Sequence, residues 1–343
     1  MIISRAPLRI SFFGGGTDYP AYFRRHGGAV LGSAIDQYSF VTASHSRSRG
    51  LVDYSIRLSY REIEHVSSLD EIKHIPIREA LRCCGFDCDI ELHHIADLPA
   101  KTGLGSSSSF STALLQALRA AKGQALQGLE LAYAAIDFER NVLGESVGCQ
   151  DQTFAAVGGL NMLVFRREDD ISVHPVRLPP ARLMELEGHL MMFYTGITRM
   201  AEEVVKKQFT KADDNRERYA RMRRQVDAAH EILTGNGSLA SFGEMLHQAW
   251  QEKRALHSVI SNNVVDSMYE RGCEAGALGG KLLGAGGGGF LLMFVPPERQ
   301  AAVAAALSEH HLLRPRLAAP GATVIFDGSK ARAPVAELRK IIG

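Results

Sequence analysis

The chain has 343 residues, 45% of them apolar and 22% charged, a globular composition long enough for two ordinary domains. Lys and Arg number 39 against 38 acids, a net charge of +1, which argues against a general nucleic-acid or polyanion binder while leaving room for a local basic pocket. Five cysteines (Cys83, Cys84, Cys88, Cys149, Cys273) show no CxxC spacing, which argues against a disulfide framework or zinc site and fits a reducing cytoplasm.

The N-terminus reads straight into a strand, Ile2–Phe13, with no basic leader and long apolar core of a signal peptide. No run of about 18 apolar residues marks a membrane span. Alternating or β-branched residues predict further strands over 39–44, 57–60 and 88–94. Helical spacing predicts helices over 70–84 and 110–122, the second capped at its start by Ser107, Ser108 and Ser109 and ended by Gly123. A helix over 128–143 ends at Gly144, and Leu160–Phe165 returns to strand. Pro179-Pro180 marks a turn or linker, and the boundary between halves is set between Phe165 and Leu186, as 1–175 and 176–343. The second half opens with a strand, Leu190–Tyr194, and runs through long charged helices to about Ala277. The basic run Arg216 to Arg224 alternates with acids and Tyr219 at helical spacing and reads as a solvated face. A Gly-rich segment, a strand over 290–295, a helix over 299–310 and a strand near 322–326 close the chain. Strands and helices do not alternate regularly, so a mixed-sheet α+β architecture is expected. His93-His94 lacks the HExxH spacing of a metal helix.

The strongest local signal is Pro99-Ala100-Lys101-Thr102-Gly103-Leu104-Gly105-Ser106-Ser107-Ser108-Ser109, between a predicted strand and a predicted helix. Glycines let a backbone turn through positive φ and approach an anion. A helix's first turn offers unpaired N–H groups and the positive end of its dipole. Serine hydroxyls add donors to phosphate oxygens or a ligand to Mg²⁺. Pro99, Lys101, Gly103, Leu104, Gly105, Ser106, Ser107, Ser108 and Ser109 are therefore expected to cradle phosphate; simple helix capping explains four serines after Gly-Leu-Gly less well.

Two other motifs do not survive their context. Gly284-Ala285-Gly286-Gly287-Gly288-Gly289 satisfies GxGxxG, but a dinucleotide loop leaves a strand and enters a helix; here a helix-rich stretch is expected before it and a strand after it. Gly144-Glu145-Ser146-Val147-Gly148 satisfies GxSxG, but Ser146 follows a predicted helix, not the strand a nucleophile elbow needs. No Walker loop exists either: Leu282 follows Lys281, and Ala275 stands where its first glycine belongs.

Three segments in fixed order resemble the three motifs of GHMP kinases, the family of galactokinase, homoserine kinase, mevalonate kinase and phosphomevalonate kinase. They are Pro7 to Tyr19 (PLRISFFGGGTDY), the segment from Pro99 to Ser108, and Lys281 to Phe290 (KLLGAGGGGF). Together they span most of the chain. Gly14-Gly15-Gly16-Thr17-Asp18 is unlike galactokinase and similar to the heptose 7-phosphate kinase branch. The segments 26–31, 34–38, 148–152 and 195–199 point the same way, while Ser33 and Ala34 depart from that branch and leave the sugar open.

The resemblance implies a two-domain GHMP kinase fold, with an N-terminal domain like ribosomal protein S5 domain 2 and a ferredoxin-like C-terminal domain. It implies ATP over the Gly-Ser loop, Mg²⁺ held by Ser107 and Glu139, and Asp151 as general base or orienting acceptor for the attacking hydroxyl. Arg9 would steady Asp151 and the transferring phosphoryl. Gly15, Gly16, Thr17, Asp18 and Asp151 would meet the sugar, with Arg199 for a substrate phosphate; Gly286 to Gly289 would pack against the phosphate loop and Asp151, with Gly286 and Gly287 at the substrate, or form only a tight hairpin. The expected function is a cytoplasmic sugar-phosphate kinase acting at an anomeric hydroxyl. A fucose- or uronic-acid-type 1-kinase and a silent sugar and ATP sensor are the alternatives. The expected partners are ATP and a small sugar phosphate, without nucleic acid or membrane, and with a homodimer left open.

Overall fold

The computed structural model describes residues 1–45, 51–198 and 215–328. In chain order the elements are β1 (Ile2–Phe13), α1 (Pro20–His26), β2 (Gly28–His45), β3 (Ile56–Ser59), β4 (Ile63–Val66), α2 (Ile75–Cys83), β5 (Ile90–Ala96), α3 (Ser106–Ala121) and α4 (Gly128–Asp137), which runs on as one π turn, Phe138–Val142. Then come α5 (Gln150–Val157), β6 (Leu160–Phe165), β7 (Ile171–Pro175), α6 (Pro180–Gly188), β8 (Leu190–Tyr194), α7 (Arg216–Thr234), α8 (Ala240–Arg254) and α9 (Asn263–Glu274). The last are β9 (Gly279–Leu282), β10 (Phe290–Phe294), α10 (Gln300–Ala306), β11 (Leu312–Leu313) and β12 (Thr323–Asp327).

Two sheets organise these elements, the mixed α+β arrangement expected. The larger runs β12-β1-β2-β5-β3-β4, with β6 on the other stretch of β2 and β7 beside β6. The smaller runs β11-β8-β10-β9. β2 is 18 residues long, so its two ends carry different neighbours: Gly28–Ser33 pairs with β6, and Ser39–His45 with β5. The last strand returns to the first, Ile2 opposite Asp327 and Arg5 opposite Thr323.

β1 alternates buried and half-buried residues at its start and is fully buried from Arg5's neighbour Ala6 to Phe13, because helices and the second sheet cover it from both sides. One apolar core lies under α2, α3 and α4. A second takes Leu8, Phe12 and Phe13 from β1, Leu104 from the Gly-Ser loop, and Phe242, Leu283, Phe290 and Phe294 from the second half. Phe242 meets Phe12 and Phe13 edge-on, with ring centroids 5.5 and 5.1 Å apart, a favoured aromatic geometry. That shared core fixes the glycine-rich segment of the second half against the first.

Three local expectations change. The serines do not cap α3; Gly105, at φ +75, is its N-cap, and Ser106 to Ser109 form the first turn. The Gly-rich segment is entered from strand β9 rather than from helix, so it is the turn of the antiparallel hairpin β9–β10. With strand on both sides it is no dinucleotide loop. Residues 70–84 split into a 3₁₀ turn, Leu69–Glu71, and the shorter α2.

Candidate active site

The loop between β5 and α3 turns through positive φ at Lys101, Gly103 and Gly105. A Cβ at Gly103 would lie 2.6 Å from the carbonyl oxygen of Leu283, so only glycine lets the loop touch the hairpin. The first intrahelical bond of this turn runs from the Ser109 N–H to Gly105, at 2.9 Å. The N–H groups of Ser106, Ser107 and Ser108 thus form the helix mouth where an anion is stabilised. Ser107 is exposed there and Ser106 half-buried. Ser109 turns away: its hydroxyl donates to the Ala6 carbonyl at 2.8 Å, which corrects its expected place among the phosphate donors. Leu104 is buried and enters the core, its carbonyl accepting from Arg9 N–H at 3.0 Å. Pro99 and Lys101 are exposed on the loop's outer side.

Helix α5 brings the rest together, because three successive residues at its start each serve a different partner. Asp151 accepts from Arg9 in a two-pronged pair, Nε to Oδ1 and Nη2 to Oδ2, both at 2.8 Å. Arg9 Nη1 also donates to the Gly103 carbonyl at 2.6 Å. A Cβ at Gly105 would lie 3.3 Å from Asp151 Oδ2, so the carboxylate sits beside the phosphate loop. Arg9 is 5% exposed and Asp151 27%; the acid, not the base, opens toward solvent.

Gln150 serves Asp18, donating from its backbone N–H at 3.3 Å and from Nε2 at 3.1 Å, while Gly16 N–H donates at 2.9 Å. Asp18 is 0% exposed, and burial first, then the charge of Asp151, pushes its pKa upward. Gly148 has no room for a side chain, since its Cβ would fall 1.9 Å from Asp18 Oδ2. Thr17 is equally buried, its hydroxyl 2.8 Å from the Gly14 carbonyl and 2.9 Å from that of Ala29. Asp18 and Thr17, expected to meet a sugar, are buried and brace the glycine turn from within; Gly15 is half-buried and Gly16 buried beside them.

Gln152 serves Glu139, which also accepts from the hydroxyl of Ser108 at 2.9 Å. Ser108 thus reaches Glu139 directly, while Ser107, expected to share Mg²⁺ with Glu139, is exposed at the helix mouth one residue, about 100° of helix, away. Glu139 lies in the π turn after α4, is 0% exposed, and is pushed up to about 7 by burial. Its Oε1 has no hydrogen-bond partner. A buried carboxylate oxygen left open next to a serine hydroxyl fits Mg²⁺, which takes hard oxygen ligands from one or two protein groups and the rest from phosphate and water. Among the described residues no cluster of three His, Cys, Asp or Glu offers an all-protein metal cage.

Arg199 lies outside the described residues. Gly286 and Gly287 pack on Ile260, not on the phosphate loop: a Cβ at Gly286 would meet Ile260 Cα at 2.9 Å, and Gly287 N–H donates to the Ile260 carbonyl. Gly289 makes the expected contact, against Thr102, and Gly284 adds one against Gly103. Ser146 sits in an exposed loop after the π turn, with none of a nucleophile elbow's geometry.

Sequence reasoning missed Lys253 and Lys281. Lys253 Nζ donates to the carbonyls of Leu282 and Gly284, at 3.2 and 2.5 Å, and Lys281 Nζ to that of Phe12 at 2.9 Å. Burial, then the Arg9 charge, brings Lys253 down to about 7; burial holds Lys281 well below the usual lysine range. A signal for Lys253 was available, since 246, 249, 250 and 253 fall on one helical face and the first three are Leu, Ala and Trp.

A glycine-lined loop, an open helix mouth and an acid paired to an arginine make a site suited to phosphoryl transfer, where catalysis is mostly placement and charge neutralisation. Known families agree. Residues 73–159 match "GHMP kinases N terminal domain" and residues 226–311 match "GHMP kinases C terminal"; the chain belongs to the GHMP kinase family and is an ATP-dependent phosphotransferase. It is 29% identical over 294 residues to the D-glycero-alpha-D-manno-heptose 7-phosphate kinase of Campylobacter jejuni, covering 83% of this chain and 86% of that one. It is also 29% identical over 326 residues to the L-fucokinase/L-fucose-1-P guanylyltransferase of Bacteroides fragilis, covering 83% of this chain but 34% of that larger protein. The fold overlays a D-glycero-D-manno-heptose 1-phosphate kinase from Bacteroides thetaiotaomicron with a TM-score of 0.78 at 23% identity, covering 95% and 100% of the two chains.

Proposed function

We propose that this kinase phosphorylates the anomeric hydroxyl of D-glycero-D-manno-heptose 7-phosphate, giving the 1,7-bisphosphate for nucleotide-activated heptose synthesis. The observation that carries the site is the Arg9–Asp151 pair set directly beside Gly105 of the phosphate loop. The sugar rests on the Campylobacter relative, which matches most of both chains.

In this reading the N–H groups of Ser106 to Ser108 hold ATP's phosphates, and the half-open carboxylate of Asp151 receives the acceptor hydroxyl. Asp151 orients that hydroxyl and takes its proton as the bond to phosphorus forms, since a loose transition state needs little deprotonation beforehand. Arg9 keeps the carboxylate in place and offsets charge gathering on the transferred group. Mg²⁺, when bound, supplies further charge neutralisation on the phosphates. Glu139, with a first-turn serine hydroxyl (Ser108 being the one already in contact), would hold it. The inward Asp18 shapes the turn that presents Gly15 and Gly16 to the sugar.

A panel of sugars with ADP release as readout tests the assignment. The heptose 7-phosphate should turn over well ahead of unphosphorylated heptose, fucose and glucuronic acid. Turnover of fucose with none of the heptose phosphate would move the assignment to the fucokinase reading, which the second relative favours.

A further inference from the structure

Lysine ammonium groups are almost never fully buried unless something compensates them. Here two, Lys253 and Lys281, 5% and 4% exposed, come from the second half of the chain. Their hydrogen bonds go to main-chain carbonyls at the hairpin β9–β10 and at β1; burial and the nearby positive charge of Arg9 disfavour both ammonium forms more than Asp18 favours them.

We propose that Lys253 is a positioning residue for phosphoryl transfer, holding the start of the β9–β10 turn so that it braces the phosphate loop in the register Arg9 and Asp151 require. Lys253 fixes the carbonyls of Leu282 and Gly284. Gly284, at φ +74, then lies so close to Gly103 that a Cβ on it would be 2.6 Å from the Gly103 Cα. The Gly103 carbonyl in turn accepts from Arg9, and Arg9 grips Asp151. Lys281, on the strand leading into the turn, ties the same hairpin to Phe12, three residues along β1 from Arg9. The brace rests on donors: the Lys253 amine can hold two carbonyls at one point through its N–H groups, which a methionine of similar length cannot. The inference rests on the reading of the Gly-Ser loop as the nucleotide phosphate site.

The test compares wild type with Lys253→Met by calorimetric ATP titration without acceptor, by steady-state kinetics and by thermal melting. A misplaced loop is expected to weaken ATP binding by about tenfold and lower kcat by about tenfold or more, with KM for the acceptor sugar within about threefold. ATP affinity and kcat both near wild type in a folded variant would overturn the assignment, as would an acceptor KM that rises as far as that for ATP, the sign of general loosening. If Lys253→Met does not fold, Lys253→Gln and Gly284→Ala probe the contact from its two sides, and the same split is expected of each. Gly103→Val separates the two ideas. Unchanged ATP affinity in that variant sinks the loop reading itself, while a loss there without one at Lys253 sinks only the lysine.

Discussion

At the residue scale, function concentrates in a few side chains whose partners set what they can do. Asp151 is held by Arg9 at both oxygens yet remains the more open of the two, so Asp151→Asn should keep the fold and lose the anionic acceptor. We expect kcat to fall by about 10²- to 10⁴-fold with KM for ATP little changed. Ser146→Ala should leave kcat at the wild-type level in the same assay. His94 carries a stability prediction. Burial, then His74, lowers its pKa to about 4; its ring packs 4.5 Å from that of Phe110, and Nε2 lies 2.9 Å from the Ser39 hydroxyl. A histidine depressed below its unfolded value of about 6.5 contributes stability that is complete above that pH and fades as pH falls toward the folded value. Urea unfolding between pH 7 and 4 should therefore show a loss of about 2 kcal/mol in wild type that His94→Gln does not share. An equal loss in the variant would assign the acid sensitivity elsewhere.

At the element scale, legibility followed periodicity. Ile2–Phe13, Leu160–Phe165 and Leu190–Tyr194 fall where the sequence predicts strands, because runs of β-branched and apolar residues bounded by polar or turn residues have few other readings. β9 was hidden, since Gly279-Gly280-Lys281-Leu282 has turn composition. The glycines are there for packing: a Cβ at Gly279 would lie 2.2 Å from the Gly243 carbonyl of α8, and one at Gly280 2.3 Å from that of Leu292. The order of the site motifs was readable through family resemblance. Which serine reaches Glu139 was not, because that depends on where α3 begins, and Gly105 rather than a serine sets its start. Nor did composition show that Thr17 and Asp18 point inward, as tertiary burial decides that. The glycine turn yields its own test. Gly289 has φ +103, and a Cβ there would fall 2.3 Å from the Thr102 carbonyl, so Gly289→Ala should cost about 2 to 4 kcal/mol in urea unfolding, through strain and loop displacement together. A change under about 0.5 kcal/mol would mean that the hairpin does not press on the loop.

At the scale of the whole molecule, the two sheets meet through one continuous core, and β1, the strand that carries Arg9, is covered by elements from both halves of the sequence. β12 adds a further tie, pairing with β1 along one edge. Just before it, Ala322 N–H donates to the Ala155 carbonyl of α5 and the Ala322 carbonyl accepts from Gln116 of α3. Removing residues from 322 onward should lower the thermal midpoint by about 5 °C or more and raise proteolytic cutting within β1; an unchanged melt would make the strand dispensable. That pairing also bears on how the protein is made. β1 is translated some three hundred residues ahead of its edge partner. Until then a nascent chain carries a buried-type strand with an open flank, the kind of edge that recruits stray strands. Synthesis that stalls before Thr323 would leave the half bearing Arg9 and Asp151 fully translated but without its closing seam, a species for chaperones to shield rather than a working half-enzyme.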